Sequence, residues 1–143
     1  MARFLSKLRV EHAENKDGRD DWTLTAALGY LSDLADPGYP GSGYLLEIWV
    51  PEGFTTDFSS VPRLPLMYLL AGDSAHAPSV IHDYLYRMWP YRDAGSRKLA
   101  DAVFLEAMKV VGESAWRRWL MWGAVRIGGY WTWKRPGSYK GGT

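Results

Sequence analysis

The chain has no cysteine. Disulfides therefore cannot staple it, and thiolate zinc centres are excluded. Histidine is scarce, with three residues in 143, so imidazole chemistry has few places to sit. No apolar run approaches the roughly 20 residues that span a bilayer. The opening stretch Met1–Lys7 lacks the apolar core of a signal peptide, and the chain is expected to be made and folded in the cytoplasm. It shows no internal repeat and no low-complexity stretch. The formal net charge is only +1, which argues against specific nucleic-acid binding.

The length of 143 residues and the hydrophobic share of 47% suit one domain, residues 1–143, with one core. Eight Trp and nine Tyr are an unusual load, fit for a dense core or a contact surface. The small net charge also hides an asymmetry. From Glu113 onward six basic residues face one acid, a balance of +5 that leaves −4 for the first 112 residues. A basic, aromatic tail from about residue 128 suits a partner bearing phosphates or carboxylates, or is simply a solvated face.

The first half reads as strands and loops. Phe4–Val10 and Trp22–Leu28 fit strands, His12–Asp21 a polar turn, and Leu34–Gly43 a Pro/Gly loop. Tyr44–Val50 is the strongest strand, rich in β-formers and closed by Pro51. Gly53–Pro65 is irregular. The second half reads as three helices: Ala77–Met88, a second capped at Asp93 or Ser96 and running to Val111, and a third from Glu113 to about Ile127, ended by Gly128-Gly129. Residues from Tyr130 on are expected to be extended. Strands first and helices later predict an α+β domain, a small antiparallel sheet covered on one face by about three helices.

Helical phase selects a chemical constellation. His82 shares its face with Leu85 and Tyr86, and Asp101 shares the next helix's face with Arg97, Phe104 and Met108. The loop between the two helices is short, so they are expected to pack antiparallel and bring His82 to Asp101. A carboxylate bonded to one ring nitrogen fixes the tautomer and makes the other nitrogen more basic, ready for a proton or a metal. Asp83 points about 100° away, where it could bind a cation. A second candidate is the loop holding Asp57, Ser59, Ser60 and Arg63. Each has a plainer reading. A buried His–Asp bond satisfies two polar groups, and Asp57 with its serines makes turns and caps.

Two resemblances attach to these residues. The run Val50–Arg63 (VPEGFTTDFSSVPR), then His82-Asp83-Tyr84-Leu85-Tyr86, Arg97, Ala100-Asp101, Phe104, Ala107-Met108 and Gly112 resembles a phage and prophage family catalogued as domain of unknown function 1353. That resemblance covers about residues 20–130. It implies a bacteriophage or prophage origin and no settled activity. The narrower set His82-Asp83-Tyr84-Leu85-Tyr86, Arg97, Asp101, Phe104 and Met108 is similar to the two catalytic helices of bacterial phospholipases A2. That likeness implies His82 as general base for water, Asp101 as its orienter, Tyr86 as a supporting hydrogen bonder and Asp83 as a ligand for a divalent cation such as calcium. A hydrolase reading of the residues adds Asp57 as a second ligand for that cation. The chain departs from that family in lacking the Gly-rich backbone loop that completes the calcium site, and in having no helix-linking disulfide.

Trp116, Trp119 and Trp122 recur every three residues among Arg117, Arg118 and Arg126, and Trp131 and Trp133 follow. This pattern fits a membrane-surface or envelope contact, an interface with other phage proteins or a second copy of the chain, or a core stripe. Two functional expectations follow. One is a virion-associated structural or accessory protein, made in the host cytoplasm and then carried in the virion, that retains a hydrolase-like His–Asp site. The other is a hydrolase of esters or amides in lipid or cell envelope.

Overall fold

A computed structural model describes residues 1–14, 20–56, 76–88 and 94–133, and within these the side chains of 13, 14, 20, 21, 88, 94–96, 125 and 127–133 are not described. Among the described residues six short strands precede three helices, an α+β arrangement. The strands are β1 (Arg3–Phe4), β2 (Val10–Glu14), β3 (Asp20–Leu24), β4 (Leu28–Ala35), β5 (Leu45–Val50) and β6 (Thr55–Thr56). They form two antiparallel three-stranded sheets, ordered β1-β4-β5 and β2-β3-β6. The single expected sheet is therefore two.

β5 shows why the first sheet has one dry face. Leu46, Ile48 and Val50 point inward and are buried, while Leu45, Glu47 and Trp49 alternate outward. Gly29 on β4 pairs with Trp49, whose indole lies flat over it, so a Cβ at Gly29 would come within 2.6 Å of the ring. Tyr30, the next residue, is fully buried and packs on Phe4.

The helices are α1 (His76–Met88), α2 (Ala94–Val110) and α3 (Ala115–Trp133). α1 and α2 lie on the first sheet, and α3 packs along α2. Val80, Ile81 and Leu85 from α1 meet Ala100, Val103 and Ala107 from α2 in one core with the inward residues of β4 and β5. Each large apolar side chain in that core contributes about 1.5–3 kcal/mol. Pro78 sits in the first turn of α1, where its missing N–H costs nothing. α2 ends on Gly112, left-handed at φ 85°, with the Glu113 N–H bonded to the Met108 carbonyl and the Gly112 N–H to that of Lys109. That pair of bonds is the Schellman cap, which needs a residue free of Cβ strain.

Several expected boundaries move. Phe4–Val10 is not one strand, since β1 ends at Phe4 and β2 begins at Val10, and the strand expected at Trp22–Leu28 runs from Asp20 to Leu24. β2 takes the first residues of the stretch read as a polar turn, because a strand with exposed polar side chains offers no alternation to detect. β4 lies where no strand was expected beyond Leu28, and it takes the first two residues of the expected Pro/Gly loop, which begins after Ala35. α3 runs through Gly128-Gly129 to Trp133, so the tail is not extended from Tyr130. Glycine weakens a helix by about 0.5–1 kcal/mol relative to Ala; it ends one by turning left-handed, as Gly112 does.

Candidate functional site

The antiparallel seam of α1 and α2 brings His82 to Asp101. His82 Nε2 lies 2.7 Å from Asp101 Oδ1. The Tyr86 hydroxyl, one turn along α1, donates to the same oxygen at 2.6 Å. Arg126 of α3 donates through Nη1 to Asp101 Oδ2 at 2.9 Å. Three donors from two helices thus close on one carboxylate that is itself fully buried. Arg97 completes the cluster. It donates through Nη2 to the main-chain carbonyl of Arg126, and its charge also reaches the Tyr86 hydroxyl.

The electrostatics follow from these contacts. Burial alone would favour a protonated Asp101. The bonds from His82, Tyr86 and Arg126, with the charge of His82 when its ring is protonated, outweigh it and hold the carboxyl below the usual carboxylate range. Burial first, and then the Asp101 charge, pushes the Tyr86 hydroxyl above its ordinary value, so Tyr86 remains a donor. An ionised carboxylate accepts only, so His82 Nε2 carries a proton. In the neutral ring the lone pair then sits on Nδ1. That atom is buried and has no hydrogen-bond partner among the described residues. The ring is held between Tyr86 and Phe104, with centroids 4.2 and 4.9 Å away, and is 1% exposed.

Asp83, turned from the seam as its phase predicts, is ion-paired with Arg87 one turn on, Oδ1 to Nε at 3.2 Å. Arg87 also donates to the Thr55 carbonyl of β6 at 2.9 Å and stacks over Phe54, its guanidinium 5.7 Å from the ring centroid. Asp83 thereby links α1 to the strand that precedes the loop candidate. Among the described residues no three His, Asp or Glu cluster in a way that could hold a metal ion. Asp57, Ser59, Ser60 and Arg63 lie outside the described residues.

Sequence reasoning found His82, Asp101, Tyr86 and Arg97 but assigned no site role to Arg126. Arg126 is the one basic residue in the second half of α3, but the crossing of α3 over α2 is what brings it to Asp101. Glu106 was also missed. It accepts from the Tyr30 hydroxyl at 2.8 Å and from the Asp33 N–H at 3.2 Å, tying α2 to β4. Trp116 and Trp119 are more than half exposed, and Trp122 is partly buried against Trp119. Trp131 and Trp133 lie within α3, and their side chains are not described.

No curated protein and no solved structure matches the chain. A family described as a protein of unknown function (DUF1353) matches residues 39–125, more than half the chain and a span that includes His82, Tyr86 and Asp101. The chain belongs to that family, DUF1353.

Proposed function

We propose that the chain is a hydrolase of esters or amides in which His82 is the general base and Asp101 its orienter. One observation carries this reading: Nε2 is committed to Asp101 at 2.7 Å while Nδ1 has no partner among the described residues. A buried imidazole nitrogen left with its lone pair is costly unless it serves something. Its chemical use is to take a proton from water as the water oxygen attacks an acyl carbon. The same proton then passes to the leaving alcohol or amine as the old bond breaks. Asp101 stabilises the imidazolium formed between the two transfers, and Tyr86 and Arg126 keep Asp101 ionised and in place. The resemblance to phospholipase A2 helices supports the same roles for His82, Asp101 and Tyr86. It supports a cation at Asp83 less, because Arg87 already balances that charge.

The test is hydrolysis of chromogenic acyl esters, phospholipid vesicles and peptidoglycan by the full chain and by His82→Gln and Asp101→Asn. The expected result is turnover of one substrate class and a loss of about 10²–10⁴ in rate for His82→Gln, the share a general base supplies. Equal rates for His82→Gln and the unaltered chain, or no turnover of any substrate, would overturn it.

The 1% exposure of His82 favours a second reading. Here the cluster is a polar lock between α1, α2 and α3 in a virion-associated accessory protein of a bacteriophage. Co-purification with virions, with no turnover, is the outcome that reading expects.

A further inference from the structure

The first half of α3 leaves large apolar side chains in water. Trp116 is 55% exposed, Trp119 56% and Leu120 43%. Their spacing of three and four residues puts them on one stripe of the helix, an arc of about 100°. Gly123 lies on the same stripe, and a Cβ added there would meet nothing within 4 Å. The stripe is not core in waiting. Met121, at 1% exposure, fills the inward face of this part of the helix.

The charge beside the stripe has one sign. α3 carries Arg117, Arg118 and Arg126 and no acid. From Ser114 to Thr143 the chain has six basic residues and no Asp or Glu. Glu113, just before the helix, is buried. Its carboxylate is 4.0 Å from Arg117, and its carbonyl accepts from Arg118 at 3.0 Å. The Arg117 guanidinium sits 5.3 Å from the centre of the Trp116 ring, which places a cation level with an exposed indole. Lys109 and Val110, exposed at the end of α2, add one more charge and one more apolar side chain.

We propose that this stripe is a membrane-surface anchor, with Trp116, Trp119 and Leu120 set into the interfacial layer of an anionic bilayer and the Arg117 and Lys109 side chains among its phosphates. Exposed indoles flanked by cations suit that layer, where one end of the ring is dry and the other wet. A protein partner fits less well. A stable protein interface takes about 800 Å² and 20–30 residues a side, whereas the stripe offers three large apolar residues and charge of one sign. The helix lies along the surface, since among the described residues no helix is long and apolar enough to cross a membrane. This anchor stands independently of the hydrolytic reading.

The test is sedimentation of the full chain with phosphatidylcholine vesicles and with vesicles of phosphatidylcholine and phosphatidylglycerol, at low and high salt. Binding to the anionic vesicles alone, weakened by salt, is expected. Trp116→Ser with Trp119→Ser should weaken it at least about tenfold, and Arg117→Gln about fivefold, the factor one basic residue contributes near an anionic surface. Both Trp side chains are exposed, so the double variant should keep its melting temperature, which confirms that it folds. Equal binding to both vesicle types, no binding, or full binding by the double variant overturns the proposal. So does a dimer in solution that the double variant abolishes, because the stripe is then a protein interface.

Discussion

Arg126 Nη1 lies 2.9 Å from Asp101 Oδ2, so the carboxylate that receives His82 through one oxygen is held through the other from a third helix. The two charges differ in exposure. Asp101 is fully buried, whereas the Arg126 side chain is 33% exposed. Removing the cation leaves a dry, uncompensated carboxylate, and such losses run to about 3–5 kcal/mol for fully buried pairs. Partial exposure of Arg126 puts this pair at the lower end. Arg126→Met should destabilise the fold by about 3 kcal/mol in urea denaturation. Arg126→Lys should recover part of that, since a lysine keeps the charge but not the guanidinium geometry.

The same pairing sets an acid limit. The folded state holds the Asp101 pKa below the usual carboxylate value, so the folded chain binds fewer protons than the unfolded one in that range. Its stabilising contribution is complete above the unfolded value of about 3.9 and is lost as pH falls through the lower folded value. In Asp101→Asn that contribution is gone at every pH. The variant should be weaker at neutral pH, and the gap to the unaltered chain should narrow as pH falls below about 4. Thermal melts across the acid range read this directly. A gap that stays constant would mean that Asp101 is not ionised in the fold.

How far this was legible in the sequence depends on how local each feature is. His82, Tyr86 and Asp101 were legible because a 3.6-residue period fixes which side chains share a face, and a short connection fixes that α1 and α2 run antiparallel. Arg126 was not, because helical phase says nothing about how α3 crosses α2, and that crossing alone brings Arg126 to Asp101. β2 was missed for a different reason: Glu11 and His12 are both exposed, so the period-2 signal of a half-buried strand is absent. β4 carries a glycine, which lowers strand propensity, and the Trp49 indole that covers it comes from another strand, out of reach of local reading.

The His82 tautomer is a direct prediction of the network. With Asp101 ionised, neutral His82 should carry its proton on Nε2, leaving Nδ1 bare. Nitrogen chemical shifts of the labelled ring distinguish the two tautomers at neutral pH. In Asp101→Asn the preference should weaken, since an asparagine can accept from or donate to the ring. A proton on Nδ1 in the unaltered chain would remove the basis for His82 as a base.

Tyr30 and Tyr86 set the alkaline limit. Burial, followed by the hydrogen bond and charge of Glu106, pushes the Tyr30 hydroxyl above its ordinary value, and burial with Asp101 does so for Tyr86. Stability from each is complete below the unfolded tyrosine value of about 10 and is lost as pH rises above it, because only the unfolded chain then releases those protons. Tyr30→Phe should cost about 1–2 kcal/mol at neutral pH by taking a donor from Glu106. It should also make the alkaline decline shallower. Alkaline melts of the two proteins, followed by tyrosinate absorbance, check both statements.

Gly29 and Trp49 form a pair whose coupling has a predictable sign. A Cβ at Gly29 would lie 2.6 Å from two indole carbons of Trp49, closer than any stable contact. The ring is 47% exposed and can swing outward, but doing so uncovers the strand it protects. Gly29→Ala should therefore cost about 1–2 kcal/mol, the range for mild overpacking. Gly29 does not adopt a positive φ, so alanine suits its backbone. Once Trp49→Ser removes the ring, the same Gly29→Ala change should turn stabilising by about 0.4–1 kcal/mol, through the lower entropy of the unfolded chain. A double-mutant cycle in urea measures the coupling. Equal costs in both backgrounds would show that the indole does not lie over Gly29.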